Sequence, residues 1–205
     1  MKDSCLCGKK GVYKVEHGFL CKVCYLRHIE EKFLRFITKN RLIYQDKKYA
    51  FVYDPNMDKI KLFLLEKLFT KFGIRKFNIF STKFTGDYKK YLKQLAKELK
   101  GYSIILPNTV DFECVLALKN LVEEKEFGNY FFPKMVLDKV EFVKPFQVFK
   151  DEDLKQYSEI KNVMFKKTKV PKDYKGYEKA LNYLDSKYFI KRSFLASVQN
   201  LSSLK

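Results

Sequence analysis

A chain of 205 residues is long enough for one α/β domain with a small appendage. It shows no signal peptide and no apolar run long enough to cross a membrane, so a soluble, cytoplasmic protein without membrane contact is expected. The net charge of +18 gathers at the ends, with 12 basic and 5 acidic residues in Met1–Lys48 and 10 basic and 3 acidic in Lys161–Arg192. That bias favours an anionic polymer, nucleic acid first, over the alternative of a lysine-rich solvated surface.

Four of the five cysteines lie within the first 24 residues, which argues against a scattered disulfide framework. Cys5/Cys7 and Cys21/Cys24 form two close pairs separated by a hairpin-like segment, and four thiolates can close a tetrahedral zinc site. Gly8 lets the backbone turn so that amides face the sulfurs. A knuckle this small has almost no core, so the metal would fold it. The first pair is C-x-C rather than C-x-x-C, which leaves open whether Cys5 and Cys7 both bind. His17 and His28 are substitutes, and free thiols or a redox pair are the alternative to zinc.

Residues 25–43 carry Leu26, Ile29, Phe33, Phe36 and Ile37 at helical spacing, with Arg27, Lys32, Arg35, Lys39 and Arg41 as a basic face. This predicts either a polyanion-facing helix or a solvated amphipathic one. Lys48–Tyr53 reads as a buried strand, 54–58 as a turn, and Lys59–Phe72 as a helix stopped by Gly73. In such a strand–turn–helix the turn faces the ligand site, and backbone amides at the helix N-terminus attract phosphate. This turn has no glycine. Its Pro55 lacks an N–H, and Asp54 and Asp58 repel phosphate.

A second strand at Lys76–Ser81, a helix at Tyr88–Lys100, a third strand at Gly101–Leu106 and a helix from Val110 to Glu124, capped by Pro107-Asn108-Thr109, continue the alternation. The pattern predicts an α/β fold, a doubly wound parallel sheet with helices on both faces. Residues 129–132 read as irregular and 136–148 as extended. Lys150–Asp153 opens a helix whose acids suit its dipole. A basic linker spans 166–175, and helices are expected over Tyr177–Tyr188 and Phe189–Leu201.

The paired-cysteine knuckle, the basic helix and the strand–turn–helix, in that order, resemble the tRNA 2-thiolation enzymes, the 2-thiouridine synthetases of the PP-loop ATPase group. Residues 106–121 look like that family's second motif and its helix, and Val140-Glu-Phe-Val-Lys-Pro-Phe resembles its Arg-Val-Lys-Pro-Phe segment. The resemblance implies an adenine-nucleotide α-hydrolase-like fold behind a zinc knuckle. It divides the chain into a knuckle at 1–25, a basic linker helix at 26–48, a PP-loop-like domain at 49–165 and a basic helical segment at 166–205.

The departures from the family are as informative. Where its ATP loop reads Ser-Gly-Gly-Lys-Asp-Ser, this chain has Asp54, Pro55, Asn56, Met57, Asp58 and Lys59. The catalytic cysteine pair has no counterpart, and Cys114 falls in a core position. Asp54, Asn56, Asp58, Asp111 and Glu113 would then mark a degenerate nucleotide site, with ATP not expected to bind and no catalytic residue. The implied function is a pseudoenzyme resembling the non-catalytic subunit of the cytoplasmic tRNA thiolation complex. It would bind tRNA through Arg27, Lys32, Arg35, Lys39, Arg41, Lys166, Lys167 and Lys169 and support an active thiolase paralogue. Two alternatives stand beside it. One is an enzyme whose Asp54, Asp58, Asp111 and Glu113 hold a divalent metal. The other is an interaction protein without RNA, such as a homodimer joined through its phenylalanine- and tyrosine-rich faces.

Overall fold

The computed structural model describes residues 4–15, 18–53, 59–75, 77–82, 84, 86–123, 128–167, 170–188 and 190–203. Two antiparallel strands, β1 (Tyr13–Val15) and β2 (Gly18–Leu20), form a small ribbon that leads into helix α1 (Lys22–Lys39). Then come β3 (Tyr49–Tyr53), α2 (Lys59–Phe72), β4 (Phe77–Ser81), α3 (Tyr88–Glu98), β5 (Ser103–Ile105) and α4 (Val110–Val122). The hairpin β6 (Lys134–Leu137) and β7 (Val140–Val143), and helices α5 (Asp151–Lys161), α6 (Lys175–Tyr188) and α7 (Lys191–Ser203), complete the order. No described helix is long and apolar enough to cross a membrane.

The main sheet has the order β4-β3-β5-β7-β6. β3 is central and buried along its whole length, as an uninterrupted apolar run requires when both sheet faces are covered. Its pairings with β4 and β5, and that of β5 with β7, are parallel. The expected doubly wound parallel sheet is present, with one antiparallel edge strand where β6 runs against β7. Residues 136–148 are accordingly not one extended segment. Asp138 and Lys139 both adopt left-handed backbone, at φ 50° and 63°, and fold the chain back in a two-residue hairpin turn. A 3-10 turn over Pro145–Val148 follows β7, and another over Gly128–Phe131 replaces the irregular stretch expected there.

Each sheet face has its own core. Tyr49, Phe51 and Tyr53 point to the side covered by α1, α2 and α5, while Ala50 and Val52 meet Leu92, Leu95 and Ala96 of α3 on the other. The helix α1 brings Tyr25, Ile29, Phe33 and Ile37, spaced by four, into the first core, and Phe33 stacks on Phe146 with ring centres 5.2 Å apart. A third cluster packs Val115 and Leu116 of α4 against Leu181 of α6 and Leu195 and Val198 of α7. Cys114 is fully buried there, as its apolar helix position implies.

Helix ends are set by local chemistry. Gly73, at φ 66°, closes α2: its N–H bonds to the Thr70 carbonyl and that of Ile74 to Phe69. Arg41, at φ 49°, closes α1 in the same way, through Arg41 N–H to Thr38 and Leu42 N–H to Ile37. Arg41 thus supplies the helix stop with its backbone while its side chain stays exposed.

Candidate functional site

The cysteine cluster is assembled by three local devices. The Gly8 N–H donates to the Cys5 carbonyl at 2.9 Å with Gly8 at φ 81°, making the tight turn that returns Cys7 toward Cys5. The β1–β2 ribbon then carries the chain back to Cys21. Cys21 is the N-cap of α1, and Cys24 sits one turn further in. All four Sγ atoms lie within 4.8 Å of one another, with Cys7 to Cys5 at 3.4 Å and Cys7 to Cys21 at 3.6 Å. Despite the C-x-C spacing, both Cys5 and Cys7 reach the cluster. No other group of three or more metal-capable side chains occurs among the described residues.

The electrostatics of the cluster suit a cation. Hydrogen bonds from the backbone of Cys7 and Cys21 bring the Cys5 thiol down to about 6. Cys24, facing Cys5, Cys7 and Cys21 in turn, is pushed up to about 12. Sulfur ligands about 2.3 Å from one ion at the corners of a tetrahedron stand about 3.8 Å apart, close to the contacts seen here. A four-iron cubane, each iron bonded to one thiolate, places its iron–sulfur core between the sulfurs and holds them farther apart. His17 lies outside the described residues. His28 is not in the cluster and lines a groove beside α1.

The second site is the crevice where the sheet order reverses. The chain steps from β3 outward to β4 and returns to β5 on the opposite side, so β3 and β5 flank the switch point where ligands of such sheets bind. Asp54, Asn56 and Asp58 lie outside the described residues. What is described around the crevice is a network of internal charges. The Thr109 hydroxyl donates to Asp151 Oδ1 at 2.7 Å, and the Asp151 N–H to Asp111 Oδ2 at 2.5 Å. Lys61, in the first turn of α2, is 1% exposed and acts electrostatically on Asp151. Burial, then the charge of Asp111, pushes the Asp151 carboxyl up, while Lys61, Thr109 and Lys167 oppose the shift. Carboxylates thus sit among three helix N-termini, where the partial positive charge of the helix ends would otherwise attract phosphate.

Asp111 and Glu113 do not converge on an open metal position. Asp111 is bound by the Lys191 ammonium, which also donates to Asn182 Oδ1 at 2.8 Å. Glu113 forms an ion pair with Lys144 at 2.8 Å in which both side chains are fully buried, and Asn108 donates to its other oxygen at 2.5 Å. Burial pushes the Lys144 ammonium down and the Glu113 carboxylate partly restores it. In the sequence, Lys144 and Lys191 have no site role, and Asp151 reads only as an acid suited to a helix dipole. Only Lys144 carried a signal there, as a lone lysine inside the apolar run Val-Glu-Phe-Val-Lys-Pro-Phe.

The structure also divides the predicted RNA-facing residues. Lys32, Arg35 and Lys39 line one groove beside α1. Arg27 lies across the helix with Lys67 and Lys71. Lys166 is exposed. Lys167 is ion-paired with Glu178 at 2.5 Å, and Lys169 lies outside the described residues.

No protein-family model and no curated protein sequence matches the chain. Among solved structures it is similar to the U34-tRNA thiolase NcsA from Methanococcus maripaludis with its [4Fe-4S] cluster. The match has a TM-score of 0.75 and 14% sequence identity, over 98% of this chain and 87% of that one. At that identity the likeness is one of fold.

Proposed function

We propose that this protein is a non-catalytic tRNA-binding relative of the wobble-uridine thiolases, carrying a structural zinc knuckle and supporting an active thiolase in the cytoplasm. What supports the reading is a thiolase-like fold whose phosphate turn has been replaced. Positions 54–58 offer no glycine and two acidic residues, and the Asp151 and Asp111 carboxyls, engaged by Thr109 and Lys191, occupy the helix N-termini where a nucleotide's phosphates would bind. Adenylation of a uridine carbonyl needs positive charge at the phosphates, and sulfur relay needs a reactive thiolate. Outside the knuckle the chain has only Cys114, which is buried, has its thiol pushed up by burial, and donates to the Lys191 carbonyl at 3.1 Å.

Zinc is the metal that the four thiols fit, because their spacing suits one tetrahedral ion. Cys5, Cys7, Cys21 and Cys24 would hold it, and it would supply the cross-link that a ribbon of two three-residue strands lacks. The strongly basic chain would then retain the RNA-handling surfaces while chemistry is left to the partner.

The test is equilibrium binding of a transcribed tRNA at several salt concentrations, together with a sulfur-transfer assay on the same RNA. The expected result is saturable binding that weakens steeply with salt, at about 0.9 units of log–log slope per phosphate contacted on a duplex, and no sulfur incorporation by the chain alone. Absence of binding at low salt, or thiolation without a partner, contradicts the proposal.

A further inference from the structure

A groove of about 400 Å³ runs along one side of α1. His28, Lys32, Arg35 and Lys39 enter it from α1, and Arg192 comes from the start of α7, far away in the chain. Ile29 and Phe36 contribute its apolar lining, and Asp153 is its one acidic residue. That carboxylate is already shared: Lys32 bonds to it at 3.0 Å, Arg192 approaches to 3.6 Å, and the Lys150 N–H donates to it at 3.1 Å. Glu31, which pairs with Arg35 at 3.1 Å, lines the groove on the other side of the helix. Four cations therefore face one carboxylate. Lys32 and Arg192 are partly sheltered from solvent, so salt screens them less than lysines on an open surface.

The geometry points to this groove as the seat of the RNA backbone. The inference rests on the RNA-binding reading above and says where on the molecule the RNA lies. With a rise of about 1.5 Å per residue, the stretch from His28 to Lys39 is about 16 Å long, a track for several consecutive phosphates rather than a point site for one anion. Cations set beside Phe36 and Ile29 match an alternation of phosphate with ribose and base, to which an aromatic ring offers a stacking face. Burial, then the charge of Lys32, pushes the His28 imidazole down. Arg192 was absent from the residues suggested by the sequence, because nothing in the chain order places the start of α7 beside α1.

The test compares two variants of equal charge change, two units from Lys→Glu and one from a cation→Gln. The groove variant is Lys39→Glu with Arg192→Gln. The control is Lys89→Glu with Lys93→Gln, two exposed lysines on α3, which covers the opposite face of the sheet. Transcribed tRNA is titrated against each by fluorescence anisotropy at several salt concentrations, with thermal melting as a check of folding. The groove variant should bind on the order of 10–100-fold more weakly, with its salt slope reduced by about 1.8, while the control stays within about threefold of the parent. If the groove variant melts early, Arg35→Gln with Lys39→Glu, both exposed, takes its place under the same criterion. Equal losses in groove and control variants overturn the groove and leave the RNA reading standing. A parent chain that does not bind tRNA overturns both.

Discussion

Replacing Lys144 with methionine should lower stability by about 3–5 kcal/mol, because it strands the Glu113 carboxylate without its cation. For a chain of this length that corresponds to a fall of about 6–20 °C in Tm. The size of the effect follows from burial. Both side chains of the pair are fully enclosed, and Lys144 also donates to the Tyr130 carbonyl, which would lose its partner. The pair joins the residue just after β7 to α4, so it ties the end of that strand to the helix that opens at the switch point. Its net contribution is a separate matter from the cost of breaking it. The double variant Lys144→Met with Glu113→Gln keeps a neutral partner for Asn108 and should recover most of the loss. Thermal melting of the parent, the single and the double variant checks this. A single variant within about 1 kcal/mol of the parent would mean that Glu113 is solvated or protonated at little cost.

Removing the metal should have the second large effect, confined to the first two dozen residues. Structural zinc in a four-cysteine knuckle contributes on the order of 10–16 kcal/mol of apparent binding free energy, far more than a ribbon of two three-residue strands supplies by itself. Purified protein should contain about one zinc per chain. Chelation, or Cys21→Ser, should abolish hydrogen-exchange protection of the Val12 amide, which bonds to the Leu20 carbonyl, and fray the first turn of α1, which Cys21 caps. Protection should persist around Phe33 and Ile37, which are held by the main core. Iron and inorganic sulfide in place of zinc, or a β1–β2 ribbon equally protected without metal, would contradict the assignment.

Much of this architecture could be read from the chain because its signals are local. The apolar run Tyr49–Tyr53, the helical spacing of Ile60, Leu64, Leu65 and Leu68, and the glycine at position 73 each act within a few residues, and each predicted element formed. The cysteine cluster was legible for the same reason, since two close pairs flank a short ribbon. The β6–β7 hairpin was hidden because its turn uses Asp138 and Lys139, without the glycine or asparagine that usually marks two left-handed residues. The internal charge pairs were hidden by distance along the chain: Glu113 and Lys144 are separated by 31 positions, and Asp111 and Lys191 by 80. Acidic residues in the first turn of α4 therefore looked like free ligands, and only the packing of β7 and α7 against that helix brings lysines to them. Arg192 likewise reaches the groove beside α1 from far along the chain, whereas Arg27 lines a different one.

The account depends most on the crevice at the switch point having lost its affinity for nucleotide phosphate. Calorimetric titration of the full chain with Mg-ATP, with AMP as the comparison, tests this directly. The expected result is no saturable binding by either nucleotide up to millimolar concentration, because positions 54–58 hold no glycine and the carboxyls of Asp111 and Asp151 stand among the helix N-termini. Saturable Mg-ATP binding at micromolar concentration, much tighter than that of AMP, would mean that the phosphates are gripped after all, and the protein would have to be regarded as an ATP-using enzyme.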